Sequence, residues 1–290
     1  MEQVQLSVLA NVLGSTAPVE ASITEICTDT RTLQPGCLFL ALKGASFDGH
    51  DFVERAIAAG AVAAVTERQI ADCPCLVVAD TGRALLQIAA WYRSQFHPIL
   101  VGVTGSVGKT TTKEMIALVL AAKYHTLKTA GNLNNEIGLP KTLLQLTADH
   151  TAAVIEMGMS HFGEISRLSQ TAQPTIGVIT NIGYSHIENL KTQEGILKAK
   201  MEILDGMAED APLIVNGDDP LLRPLKRGLT RPVYTYGIQN QDADVWATDI
   251  EEQDGMTTFS LHSKQLGTFA VTLPCIGVHN VMNAMAAFCV

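Results

Sequence analysis

Long apolar runs are missing from this sequence. No stretch approaches the ~20 residues that a bilayer-spanning helix needs, and residues 1–13 lack the basic start of a signal peptide, carrying Glu2 and Asn11 instead. Positive charge is also scarce: 20 Lys and Arg against 29 Asp and Glu leave a formal net charge of −9. A broad phosphate-binding face is therefore not expected, and nucleic acid is set aside as a partner. The six cysteines are scattered, and the one close pair, Cys73-Pro74-Cys75, is too tight for a zinc site and has no histidine nearby. Reduced thiols in a cytoplasmic protein are the expectation. With 17% charged and 47% hydrophobic residues the chain is not of disordered composition, and 290 residues suffice for two domains.

What is present begins with a change of pattern at His97-Pro98, which breaks a helical stretch and is read as a domain boundary. Residues 1–97 read as a small α/β domain, with apolar strands at 37–42, 62–65 and 76–79 and helical spacing at 52–59 and 83–96. Residues 98–290 alternate near-continuous apolar strands at 99–103, 153–157, 176–180 and 213–216 with helices at 110–122, 163–170 and 194–208. That alternation predicts an α/β fold with a mostly parallel sheet covered on both faces. Shorter β segments are expected after Pro232. A last helix, 280–290, has no stop signal, so the chain is expected to be incomplete.

The strongest local pattern is Gly102-Val103-Thr104-Gly105-Ser106-Val107-Gly108-Lys109-Thr110-Thr111, entered from an apolar strand and left by a helix. Glycines let successive backbone N–H groups face a phosphate, the helix N-terminus adds its dipole, Lys109 can bridge phosphates and the Thr110 hydroxyl can ligate magnesium. The usual spacing puts the first glycine at 103, which is valine here; the glycines fall at 102, 105 and 108. This is a nucleotide phosphate loop, but by itself it leaves kinase, motor, GTPase and ligase open.

Glu156 and His186 each follow an apolar strand, where ligands gather in doubly wound folds, and both are candidates to serve magnesium. A capping acid and a structural histidine are the plainer alternatives. Glu194, Lys198 and Glu202, four apart, predict a solvated salt-bridging helix face. Lys200 falls elsewhere, in register with Ile196, Leu197, Ile203 and Leu204. On an apolar stripe an ammonium loses hydration, which favours a neutral, nucleophilic amine able to pair with phosphate or to react with CO2. A snorkelling lysine fits the same spacing.

Taken in order from Ile23 to the end, these segments resemble the Mur ligase family. Thr28-Asp29-Thr30-Arg31, Pro35-Gly36, Lys43-Gly44 and Asp48-Gly49-His50-Asp51-Phe52 are similar to its UDP-sugar-binding pattern. The resemblance implies substrate contacts at Thr30, Arg31, Lys43, Gly44, Asp48, Gly49 and His50, although turn chemistry alone would use the same residues. The phosphate loop, Gly131-Asn132-Leu133-Asn134-Asn135-Glu136-Ile137-Gly138-Leu139-Pro140 and the Glu156 and His186 segments are similar to the family's ATPase domain. They imply ATP contacts at Gly105, Ser106, Val107, Gly108, Lys109, Thr110, Thr111, Asn134 and Asn135. His279-Asn280-Val281-Met282-Asn283-Ala284 adds Asn280 and Asn283, the latter near adenine.

Two Mg2+ ions are implied, one on Thr110 and Glu156, the other on His186 and a carbamylated Lys200, with Lys109, Lys200, His186 and Glu156 catalytic. The Asn-rich stretch and Glu156-Met157-Gly158-Met159-Ser160-His161 favour the member that joins D-alanyl-D-alanine to UDP-N-acetylmuramoyl-tripeptide through an acyl phosphate. The preceding ligase, a P-loop kinase, and a nucleotide-sugar-binding module without catalysis are the rivals. The family's third domain has no counterpart in these residues, so the 290 residues alone are expected to be inactive. A monomer without a transmembrane segment is expected.

Overall fold

The computed structural model describes residues 1–44 and 46–290, which fall into two compact units. Met1–Phe96 with Leu143–Thr147 form the first, and His97–Thr142 with Ala148–Val290 the second.

The first unit opens with β1 (Val4–Gln5), α1 (Leu6–Val12) and β2 (Ser22–Ile23), β1 and β2 pairing antiparallel. A separate four-stranded parallel sheet follows in the order β3 (Ile26–Cys27), β4 (Leu38–Leu40), β5 (Ala63–Thr66), β6 (Cys75–Val77), accompanied by α2 (Val53–Ala58) and α3 (Thr81–Ser94). Every residue of β4 and β5 is buried, as the unbroken apolar runs require of parallel strands. Helix α3 begins two residues before the predicted 83 because the Asp80 carboxylate caps it, accepting Arg83 N–H at 2.8 Å. It buries Leu85, Ile88, Ala89 and Tyr92.

The second unit is a nine-stranded sheet. In chain order it contains β7 (Ile99–Thr104), α4 (Lys109–Ala121), β8 (Thr126–Lys128), α5 (Gly138–Leu143), β9 (Ala152–Glu156), α6 (Glu164–Ala172), β10 (Ile176–Ile179), α7 (Ile187–Leu190), α8 (Gln193–Met201), β11 (Leu213–Asn216), α9 (Leu225–Gly228), β12 (Val233–Gly237), β13 (Val245–Gln253), β14 (Met256–Ser263), β15 (Gly267–Leu273) and α10 (Val278–Cys289). The spatial order is β15-β14-β13-β12-β11-β10-β7-β9-β8, parallel from β8 through β13 and antiparallel over β13–β14–β15. Apolar residues of α4 (Ile116, Ala117, Leu120) and α10 (Val281, Met285, Ala286) share one core cluster with Val101, Val103, Val154 and Val178 of the sheet.

Two expectations are corrected. The segments after Pro232 are not short: β13, β14 and β15 have nine, eight and seven residues, because antiparallel neighbours extend one another's ladders. The predicted helix 194–208 is α only to Met201 and tightens to a 3-10 turn over Glu202–Gly206. Glu202 there does not join a salt-bridging face. Its carboxylate caps α6, accepting Gly163 N–H at 2.8 and 2.9 Å, while Lys198 lies over the Phe162 ring at 5.9 Å.

Strand register positions the site. Val103 lies beside Glu156 and Thr104 beside Ile179, so the C-terminal ends of β7, β9 and β10 open at one edge, where the strand order reverses.

Candidate active site

Two glycines shape the loop after β7. Gly105 stands at φ 150°, and a Cβ there would come within 1.9 Å of the Thr180 hydroxyl oxygen. Gly108, at φ 82°, is the left-handed cap from which α4 starts. The segment after β10 braces the loop. Ser106 N–H donates to Asn181 O at 3.0 Å and Val107 N–H to Asn181 Oδ1 at 2.9 Å, while Asn181 Nδ2 and Thr180 Oγ1 donate to Val107 O at 2.9 and 2.7 Å. Asp219 holds the brace in turn, accepting Ile182 N–H at 2.7 Å. Lys109 Nζ folds over the loop to Gly105 O at 2.9 Å and Ser106 O at 3.3 Å. Thr110 and Thr111 are exposed in the first turn of α4. The first N–H groups of a helix lack intrahelical acceptors, and with the dipole they favour a bound phosphate.

Buried charge gathers around this loop. Glu156 is 1% exposed; Oε1 accepts from Asn134 Nδ2 at 2.8 Å, while Oε2 is buried with no hydrogen-bond partner. Burial lowers the Lys109 pKa, and the Glu156 charge opposes that shift. Lys200 is 3% exposed, and burial, assisted by the charge of Lys109, brings its ammonium down to about 7. His186 stands exposed at the start of α7 with φ 62°, a left-handed conformation uncommon outside glycine. It follows Ser185, whose hydroxyl reaches Ser106 O at 3.4 Å.

No group of three or more His, Cys, Asp or Glu side chains is arranged as a metal site among the described residues. An orphaned carboxylate oxygen and a threonine hydroxyl beside a phosphate loop nonetheless fit Mg2+, which takes one or two protein oxygens and completes its shell with phosphate and water.

The four asparagines divide. Asn134 holds Glu156, whereas Asn135 Oδ1 accepts Ile137 and Gly138 N–H at 3.1 and 2.8 Å and so caps α5. Asn283 Oδ1 accepts the Thr112 hydroxyl at 3.0 Å, and Asn280 Nδ2 donates to Ile276 O at 2.8 Å.

The first unit has its own cavity, of about 370 Å³, lined by Thr28, Asp29, Thr30, Arg31, Phe39, Phe47, Gly49, Phe52 and Arg55. Thr30, Arg31 and Gly49 were expected there; Lys43, Gly44, Asp48 and His50 do not line it. His50 is a scaffold side chain: Nε2 accepts Glu67 N–H at 2.8 Å, which leaves the proton on Nδ1 to meet Asp48 Oδ1 at 2.5 Å. Lys43 is ion-paired to Glu67, which also accepts Thr81 N–H at 3.2 Å. Arg31 pairs with Asp29 through Nε at 2.9 Å and Nη2 at 2.6 Å and is largely exposed.

The sequence pattern of the Mur ligase middle domain matches residues 103–290, and that of the Mur ligase family catalytic domain matches residues 22–91. The chain belongs to the Mur ligase family. It is 45% identical over 266 residues to the UDP-N-acetylmuramoyl-tripeptide–D-alanyl-D-alanine ligase of Bacillus subtilis, covering 90% of this chain and 57% of that one. MurF of Acinetobacter baumannii superposes with a TM-score of 0.93 at 38% identity, over 99% of this chain and 64% of the other. MurF of Thermotoga maritima, solved in complex with ADP, gives 0.85 at 32% identity, over 91% and 62%. The chain thus spans about three fifths of the length of these relatives.

Several residues that build this Mur ligase chain's sites escaped the sequence reading. Lys113, on α4, is wholly buried. The signal that singled out Lys200 would have found it, since Lys113 lies three before Ile116 and four before Ala117 on an apolar stripe. Thr180, Asn181 and Asp219 brace the loop through contacts 37 to 74 residues apart, for which no local pattern exists. Phe47, Phe52 and Arg55 flank the Asp48-Gly49-His50-Asp51 turn, and in a chain with 5% aromatics two phenylalanines so placed were a usable hint.

Proposed function

We propose that this chain is the substrate- and ATP-binding part of a ligase that joins D-alanyl-D-alanine to UDP-N-acetylmuramoyl-tripeptide in peptidoglycan precursor synthesis. The observation that carries the reading is the convergence on one phosphate loop of Lys109, a Glu156 Oε2 without a hydrogen bond and a buried Lys200. The 45% identity to a ligase of that activity supports it.

In this reading the first step brings two anions together, the tripeptide carboxylate and the γ-phosphate of ATP. Carboxylate oxygen attacks phosphorus, the bond to the ADP oxygen breaks, and an acyl phosphate forms. The amine of D-alanyl-D-alanine then attacks the acyl carbon, loses a proton, and phosphate departs. Gly105 to Thr111 cradle the ATP phosphates and Lys109 turns from its carbonyls to the transferring group. Thr110 and Glu156 would hold one Mg2+; His186 and Lys200 would hold a second, Lys200 after its neutral amine adds to CO2 and sheds a proton. Bound Mg2+ would neutralise the phosphate charge that repels the carboxylate. Asn283 is assigned near the adenine, and Asn280 to the nucleotide site.

In the first unit, Phe47 and Phe52 offer faces for a uracil and Arg31 and Arg55 a pair of cations for the diphosphate. ATP consumption places the reaction in the cytoplasm. No helix of the described residues is long and apolar enough to cross a membrane, and the reading takes the ligase as a monomer.

Calorimetric titration with UDP-N-acetylmuramoyl-tripeptide, with and without a non-hydrolysable ATP analogue and Mg2+, tests the reading. Binding of both ligands is expected. Binding of the nucleotide without the UDP-peptide would refute the assignment of the first unit.

A further inference from the structure

Lys113 is the most deeply buried charge near the phosphate loop that the mechanism leaves unused; its side chain is 0% exposed. It stands one helical turn after Lys109, and its ammonium meets three acceptors: Thr129 O at 2.7 Å, Glu114 Oε1 at 3.0 Å and Gly131 O at 3.3 Å. An ammonium has three N–H donors, so each has a partner. A fourth acceptor, Glu156 Oε2, lies farther off at 3.9 Å and is the atom left without a hydrogen bond. Glu156 is thus offered a compensating positive charge but no proton donor at that oxygen. A buried carboxylate with neither would be strongly destabilising, whereas one fully hydrogen-bonded would have no lone pair to give.

The neighbouring contacts point the same way. Asn134 takes Oε1, and Thr129, whose carbonyl Lys113 holds, accepts Glu156 N–H on its hydroxyl at 2.9 Å. Glu114, the partner that draws Lys113 away from Glu156, is itself anchored from outside by an ion pair with Lys128.

We propose that Lys113 is a positioning residue for the divalent cation: it balances the Glu156 charge through space while Glu114, Thr129 and Gly131 engage its protons, keeping Oε2 free to ligate. The inference rests on reading Glu156 as a ligand of the nucleotide-bound cation.

The test is titration of Mn2+ into the ADP-saturated protein, followed by its electron paramagnetic resonance signal, with ADP affinity in EDTA and Tm as controls. Lys113→Met is expected to weaken Mn2+ roughly tenfold or more, leaving metal-free ADP binding intact. Glu114→Ala, at a half-exposed position, is expected to weaken Mn2+ in the same direction and by less, because a released N–H of Lys113 turns to Oε2. A merely structural lysine would lower Tm and ADP binding in EDTA together, and that outcome overturns the proposal. So does Mn2+ affinity in both variants equal to that of a metal-binding parent. If Lys113→Met does not fold, unchanged Mn2+ affinity in Glu114→Ala decides against it alone. A parent that binds ADP but no Mn2+ overturns the Glu156 reading itself, a result distinct from variants that match a binding parent.

Discussion

The two units treat buried and half-buried charge in opposite ways. In the first, the polar side chains of the resembling motif satisfy one another: Asp48 with His50, His50 with the Glu67 backbone, Glu67 with Lys43 and Thr81. What remains to meet a ligand is an aromatic-walled cavity with Arg31 and Arg55 at its edge. In the second, the segment after β10 braces the phosphate loop while two charged groups beside it stay incompletely compensated, Glu156 Oε2 without a hydrogen bond and Lys200 with its ammonium destabilised. Satisfied charge is scaffold, and unsatisfied buried charge, which costs stability, is retained where chemistry uses it.

The contrast is broken most sharply at Lys200. Under the proposed function Lys200→Ala should cut ligation by about 10²- to 10³-fold, with added bicarbonate giving no recovery; near-normal turnover would remove the distinction between the units. Lys200→Met should also raise Tm. The native ammonium is depressed to about 7 from 10.5, so between those values the unfolded chain binds the extra proton and the parent gains stability as pH rises. The advantage of methionine should therefore be full below about 7 and vanish above 10.5, as paired Tm–pH curves would read.

Gly105→Ala comes next. With φ 150° and the Thr180 hydroxyl 1.9 Å from the new Cβ, the loop must shift, at a cost of about 2 kcal/mol or more. Thermal denaturation and ADP titration should both report it.

His50→Ala should destabilise the first unit by about 1–3 kcal/mol through the unpaired Glu67 N–H, without changing UDP affinity of the folded protein. The backbone N–H of His50, then its ring, hold the Asp48 carboxyl down to about 2 from 3.8. That contribution is present above 3.8 and lost as pH falls toward 2, so Asp48→Asn should flatten the acid limb of a Tm–pH curve. The smallest stability effect is expected at Arg31, whose ion pair is exposed: Arg31→Ala should leave Tm essentially unchanged while UDP titration shows the loss. Equal effects on stability at His50 and Arg31 would contradict the scaffold-versus-ligand division.

Much of this was legible along the chain. The β7–loop–α4 passage follows from glycine spacing, the apolar register of Lys200 from the 3.6-residue period, and the parallel strands from near-continuous apolar runs, all local properties. The division of labour among motif residues was not. His50 and Arg31 sit nineteen residues apart in one resembling pattern, yet one is interior and the other largely exposed. Asn134 and Asn135 are adjacent, yet one grips Glu156 and the other caps a helix. Adjacent residues share a pattern but not an environment, and partner choice depends on what the fold brings opposite.

The sequence by itself determined the fold class, the phosphate loop and the place of Lys200 on an apolar stripe, because backbone conformation and amphipathic period are set within a few residues. Only the tertiary structure decided which charges find partners. Lys113, Thr129 and Glu156 meet because helix α4 packs against β8 and β9, which lie side by side, and the free oxygen of Glu156 exists only because other acceptors lie closer to the Lys113 ammonium. Electrostatic compensation falls with distance in space and is blind to distance along the chain.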